Sequence, residues 1–150
     1  MKKFFAVMLS LMLTVLTFAS CQSTDKTNST TNSDPGTNNT GKKYKVAIVQ
    51  LADNGAFTEM RESFIHEMRT LGYDEAQMIF DIKNAQGDQS ALTTISQGLK
   101  NGDYDLIVPI VTPATMSVVN QGLKTPVVFI SVANPVGSGI MTSMEKPDKN

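Results

Sequence analysis

Lys45-Val-Ala-Ile-Val-Gln-Leu51 decides the fold, because of what comes after it. The run is apolar and rich in β-branched residues, which suits a strand covered on both faces. A short polar stretch, Ala52-Asp53-Asn54-Gly55-Ala56, leads to Phe57, Met60, Phe64, Met68 and Leu71, which recur at spacings of three and four and end at Gly72. That is a strand followed by an amphipathic helix with a glycine C-cap. The unit then repeats. Met78-Ile-Phe-Asp-Ile82 reads as a second strand, and Leu92, Ile95 and Leu99 mark a second helix that stops near Gly102. Leu106-Ile-Val-Pro-Ile-Val111 and Val127-Val-Phe-Ile130 are two more apolar runs, separated by a short helix from Ala114 to about Gln121. The order β-α-β-α-β-α-β demands right-handed crossovers, so the fold class is α/β: a parallel sheet with helices on both faces. With strand order 2-1-3-4, the ligand crevice lies beyond the carboxyl ends of the strands, where the order reverses between the first and third.

The residues before this region are of a different kind. Lys2 and Lys3 give a positive start, Phe4 to Ala19 carries no charge, and small Ala19 and Ser20 lead into Cys21. This is the tripartite pattern of a secretory signal peptide over residues 1–20. Gln22 to Gly41 is built from Ser, Thr, Asn, Gly, Pro and a few charges, with no aliphatic or aromatic residue. Such a stretch buries too little apolar surface to offset its ordering entropy and reads as a tether spanning roughly 25 Å as a random coil. Residues 21–43 are therefore expected to be a flexible leash, and folding is expected to begin near Tyr44 and continue to Asn150.

Composition removes several function classes. The 150 residues hold 13 Lys+Arg against 14 Asp+Glu, a balance that offers no basic patch for nucleic-acid phosphates. One cysteine excludes an internal disulfide framework and a Cys-rich zinc site, and His66 alone cannot build a His-rich metal centre. His66 falls with Glu59, Glu62 and Arg69 on the polar face of the first helix, so it reads as solvated. No Gly-x-Gly-x-x-Gly follows the first strand and no Walker-type Gly-Lys-Ser/Thr occurs, which disfavours dinucleotide and nucleoside-triphosphate binding. No cofactor, metal site or catalytic group is expected.

The strand exits carry the candidate site. Asp53 and Asn54 at the first exit either cap the helix or meet a ligand. At the third, Thr112-Pro113-Ala114-Thr115 reads as an N-cap followed by proline at the first helical position. The free N–H groups of Ala114 and Thr115 are then expected to face outward beside a positive helix end, a site for a carboxylate or phosphate. An ordinary helix start accounts for the same residues. The fourth exit, Ser131-Val-Ala-Asn134-Pro135, adds a hydroxyl and an amide at the same edge. The candidate ligand-binding set is Asn54, Thr112, Ala114, Thr115, Ser131 and Asn134.

Two resemblances bear on these residues. Phe18-Ala-Ser-Cys21 resembles the lipobox of bacterial lipoproteins, with Phe18 in place of the usual aliphatic residue. It implies acylation at Cys21 and a membrane-anchored protein on the extracytoplasmic face. From Lys45 to Asn150 the chain resembles the amino-terminal lobe of the substrate-binding lipoproteins of ABC importers, in the subfamily that binds tryptophan or tyrosine. The residues that carry this are Asn84-Ala-Gln-Gly-Asp88, Asp105-Leu-Ile-Val with Thr112-Pro-Ala-Thr115, and Thr125-Pro-Val-Val-Phe129 leading into Asn134-Pro-Val-Gly137. Asn134 departs from the Asp usual there, so a charge that would meet a ligand amine or a neighbouring loop is absent.

The resemblance implies a type I periplasmic-binding-protein fold, with two lobes that close on a solute and deliver it to ABC permease subunits. It also implies that the solute's carboxylate sits at Thr112, Ala114 and Thr115, with an aromatic amino acid the leading ligand. Phe57 either stacks on that ligand or packs in the core. Family members carry a second lobe of comparable size, so this chain is expected to be a fragment or truncated product. A single-lobe surface sensor or interaction module, or a small flavodoxin-like enzyme, are the alternatives.

Overall fold

The computed structural model describes residues 41–146. The expected signal peptide, Cys21 and the tether up to residue 40 lie outside the described residues.

Seven elements follow in the expected order. They are β1 (Tyr44–Gln50), α1 (Gly55–Thr70), β2 (Met78–Asn84), α2 (Gln89–Gly98) with a 3-10 turn at Leu99–Asn101, β3 (Leu106–Pro109) and α3 (Val111–Val119). The three strands are parallel in the order β2-β1-β3, with Ile48 registered against Ile82 on one side and Val108 on the other. Alternation along β1 divides the core in two. Ala47 and Val49 join Leu92, Leu99, Ile107, Ala114 and Val118 on the face covered by α2 and α3. Val46 and Ile48 join Val108 and Ile110 on the other, where Met60, Phe64, Ile65 and Met68 of α1 pack. Both faces of β1 are thus buried, as its unbroken apolar run required.

The fourth run lies beside β3, as the order 2-1-3-4 required, yet it is not a continuous strand. It meets β3 in two separate parallel bridges, Ile107 with Val127 and Ile110 with Ile130. Ile107 N–H donates to the Pro126 carbonyl and Val128 N–H to the Ile107 carbonyl, each at 3.0 Å. The next donor should be residue 109, but Pro109 has no N–H, so the ladder skips before Ile130 N–H reaches the Pro109 carbonyl at 3.0 Å.

The amino-terminal edge of the sheet is closed by paired charges. Asp105 accepts from Lys45 N–H at 2.9 Å and from Lys42 Nζ at 2.6 Å, so ordered contacts begin slightly before Tyr44. The Lys42 hydrogen bond, with the Lys45 N–H, holds the Asp105 carboxyl below its usual range. Tyr104 donates to Asp81 at 2.5 Å, and Lys45 Nζ lies 4.6 Å from the Tyr104 ring centroid while donating to the Gly102 carbonyl. Burial, then the bond to Asp81, pushes the Tyr104 hydroxyl up to about 12. Burial raises Asp81 in turn, but hydrogen bonds from Tyr104 and Lys83 outweigh it and leave that carboxyl below its usual value.

Candidate functional site

A parallel sheet sends every strand out at one edge, and the exits here are tied together by backbone. Ala85 N–H donates to the Gln50 carbonyl at 3.0 Å and Gly87 N–H to the Leu51 carbonyl at 2.7 Å, fastening the second exit to the first. Val111 N–H donates to the Ile130 carbonyl at 2.8 Å, fastening the third to the fourth. Three of the exits hold a residue in the left-handed region, Gln86 at φ 53°, Val111 at φ 67° and Ser131 at φ 59°. For a β-branched residue such as Val111 that conformation costs about 1–3 kcal/mol and persists only where neighbours enforce it. Strain of this kind collects at ligand sites.

The candidate residues separate into three groups. Asn54 caps α1, its Oδ1 accepting from Phe57 N–H at 3.0 Å, while the residue stays exposed. Ser131 is exposed and Thr112 half-buried. Asn134 is exposed, but its Oδ1 accepts from Gly137 N–H at 2.8 Å and shapes the turn that follows.

Ala114 and Thr115 are the third group and require a correction. The helix starts earlier than the Thr-Pro pattern implied, with Ile110 rather than Thr112 as N-cap and no side-chain cap. Both Ala114 and Thr115 are fully buried, and the Thr115 hydroxyl bonds back to the Val111 carbonyl at 2.9 Å. The cause is the left-handed Val111, which turns the chain into the helix a residue before Thr112 can cap it. What the helix start offers at its positive end is Thr112 itself. Thr112 also opens onto a groove of about 470 Å³ between α2 and α3, with Gln89, Thr93, Pro113 and Met116 in its wall.

Phe57 is half-buried and lies outside both core clusters, and His66 is exposed. Among the described residues no group of three His, Cys, Asp or Glu side chains is placed to hold a metal.

One constellation escaped the sequence reading. Gln50 ends β1 with its side chain fully buried, its Oε1 accepting from Arg61 Nη1 at 2.6 Å. Arg61, 13% exposed, also bonds Glu62 at 2.8 Å and approaches Asp53 at 3.4 Å. Asp53 Oδ1 accepts from the Thr58 hydroxyl at 2.7 Å. The Arg61 contact fixes which way the Gln50 amide points, and it leaves Gln50 Nε2 buried without a partner among the described residues. An unmet buried donor costs about 1–3 kcal/mol. The available signal was a polar amide at the α1-facing parity of β1, alternating with Val46 and Ile48, and it was hidden inside an apolar run.

Comparison with known proteins places this geometry. The tyrosine-binding protein of Clostridioides difficile (strain R20291) is 28% identical over 99% of this chain, which spans 43% of that protein. A Streptococcus pneumonia ABC domain solved in complex with L-Trp superposes with a TM-score of 0.70 at 26% identity, over 73% of this chain and 37% of that one. A conserved domain protein from Vibrio cholerae gives 0.70 at 30% identity over the same shares. The ligand-free, open structure of a substrate binding protein with adhesive properties from Clostridium difficile gives 0.67 at 28%, over 71% of this chain and 36% of that one. The chain therefore spans about two-fifths of these relatives. Residues 45–150 match the family model for ABC transporter substrate binding proteins, across the whole α/β unit just described, and the chain belongs to that family.

Proposed function

We propose that residues 44–150 are the amino-terminal lobe of an extracytoplasmic solute receptor that serves an ABC importer and takes a small carboxylate-bearing solute, an aromatic amino acid foremost. In this reading residues 1–20 are a lipoprotein signal peptide, Cys21 carries the lipid that holds the protein to the membrane, and residues up to 43 are the tether. ABC permease subunits are the partners that receive the solute, and a second lobe supplies the opposing wall.

The observation that carries the reading is the placement of Thr112. Thr112 follows the strained Val111 at the positive start of α3, on the third exit. A carboxylate is the group such a position favours. The relatives support the choice of solute, one by its tyrosine-binding name and one by its bound L-Trp. A lone lobe buries only part of a ligand's surface, so its affinity is weak compared with a closed cleft.

The test is a titration of the purified full chain with L-tryptophan and L-tyrosine, followed by amide NMR shifts. The expected result is movement of the signals of Asn54, Thr112 and Ser131, with Thr112→Val weakening binding about tenfold. Shifts confined to other residues, or none, would overturn the reading. A second reading is a surface interaction module without transport, which the adhesive properties of the Clostridium difficile relative favour.

A further inference from the structure

The geometry points to Asp53 as the receiver of the solute's ammonium group, with Arg61 and Gln50 as the residues that position it; this rests on the amino-acid reading above. An α-amino acid bears its carboxylate and ammonium on one carbon, so their receivers have to stand on neighbouring exits. β1 and β3 are neighbours, and Val49 is registered against Pro109. Asp53 follows the first of that pair by four residues and Thr112 follows the second by three, so the two leave the sheet side by side. The other exit-loop carboxylate among the described residues, Asp88, leaves from β2, two strand spacings or roughly 10 Å from β3. Asp88 is also committed to capping α2, its Oδ1 accepting from Ala91 N–H at 2.8 Å.

Asp53 is held but not consumed. Its side chain is 56% exposed, its internal contacts fall on Oδ1, and Oδ2 has no partner among the described residues. Arg61 only partly offsets its charge, because the guanidinium is shared and sits closer to Gln50 at 2.6 Å and to Glu62 at 2.8 Å than to Asp53 at 3.4 Å. The buried Gln50 amide explains itself in this arrangement. Its orientation sacrifices the Nε2 donor in order to fix Arg61, and Arg61 with Thr58 fixes the loop that presents Asp53. A residue kept only for core packing has no need of that sacrifice. The departure at Asn134 fits too, since that amide is turned inward on Gly137 and carries no charge for an amine.

The full chain is titrated with L-tryptophan and with indolepropionate, the same acid lacking the amino group. The expected result is a preference for the amino acid of about tenfold, abolished in Asp53→Asn and reduced in Arg61→Lys, because a hydrogen bond to a charged group is lost. Thr112→Val weakens both acids alike. Asp53→Asn keeps the shape of an exposed loop side chain, and Gln50→Leu repeats the test from the buried end. If Asp53→Asn leaves the ratio between the two acids unmoved, the Asp53 assignment is overturned while the amino-acid reading stands. If the wild-type chain binds neither acid, the amino-acid reading itself falls and takes this assignment with it.

Discussion

The two edges of the sheet are made by opposite means. At the amino-terminal edge Asp105, Lys42, Lys45, Tyr104 and Asp81 satisfy one another in a closed set of charged hydrogen bonds. At the carboxyl-terminal edge the chain holds three left-handed non-glycine residues and, at the end of β1, an unmet buried donor. The first edge is held mainly by charged pairing, while the second carries most of the backbone strain and the unmet polar group. Proteins depart from local consistency mainly where they function, and here three of the four left-handed non-glycine residues lie at the carboxyl-terminal edge, with Asp103 at φ 47° the exception beside Tyr104.

The contrast is broken most forcefully at the closed edge. A Cβ on Gly102 would run into the Tyr104 ring, so Gly102→Ala has to displace the ring from Asp81 and Lys45. The expected loss is about 2–3 kcal/mol in denaturant unfolding. Tyr104→Phe removes the hydroxyl alone and should cost about 1–2 kcal/mol at neutral pH. Its pH dependence sharpens the point. The folded Tyr104 hydroxyl stands at about 12 against an ordinary 10.0, so its contribution is complete below 10 and fades as pH rises through 12. Wild type should therefore lose stability across that window relative to Tyr104→Phe, and equal slopes would deny the pair its role.

At the open edge the sign reverses. Val111→Gly relieves the left-handed strain and should stabilise the chain by less than about 1 kcal/mol once glycine's entropy cost of about 0.5–1 kcal/mol and the lost packing of the half-buried side chain are deducted. Thermal unfolding checks this, and a destabilised variant would mean that Val111 is held for packing.

Much of the fold was legible because it rests on periodicity. The run through Val46 to Val49, the spacing from Phe57 to Leu71 and the stop at Gly72, φ 94°, all correspond to elements where the residues placed them. What was not legible depends on contacts across the sheet. Thr112 looked like an N-cap because Thr-Pro is a good local start, but the Ile130 carbonyl captures Val111 N–H and the helix begins two residues early, with Ile110 as its cap. The Gln50 and Arg61 pair is eleven residues apart and forms only once α1 has folded back over β1. Asn134 was readable as polar and exposed, yet nothing local announced that its amide would be spent on Gly137.

Pro109 has a consequence for how the sheet comes apart. A regular ladder opens like a zipper, each broken bond exposing the next, whereas here the row between β3 and the fourth segment has a tooth missing at its midpoint. Opening that starts at Ile130 meets a gap before it reaches Val127, so the last contact can release and re-form while Ile107 still grips the segment below. Amide hydrogen exchange should accordingly divide there, with Ile130 and Val111 exchanging together and faster than Ile107 and Val128. The Ser131 exit thus has a small hinge of its own, set by the absence of a single hydrogen atom.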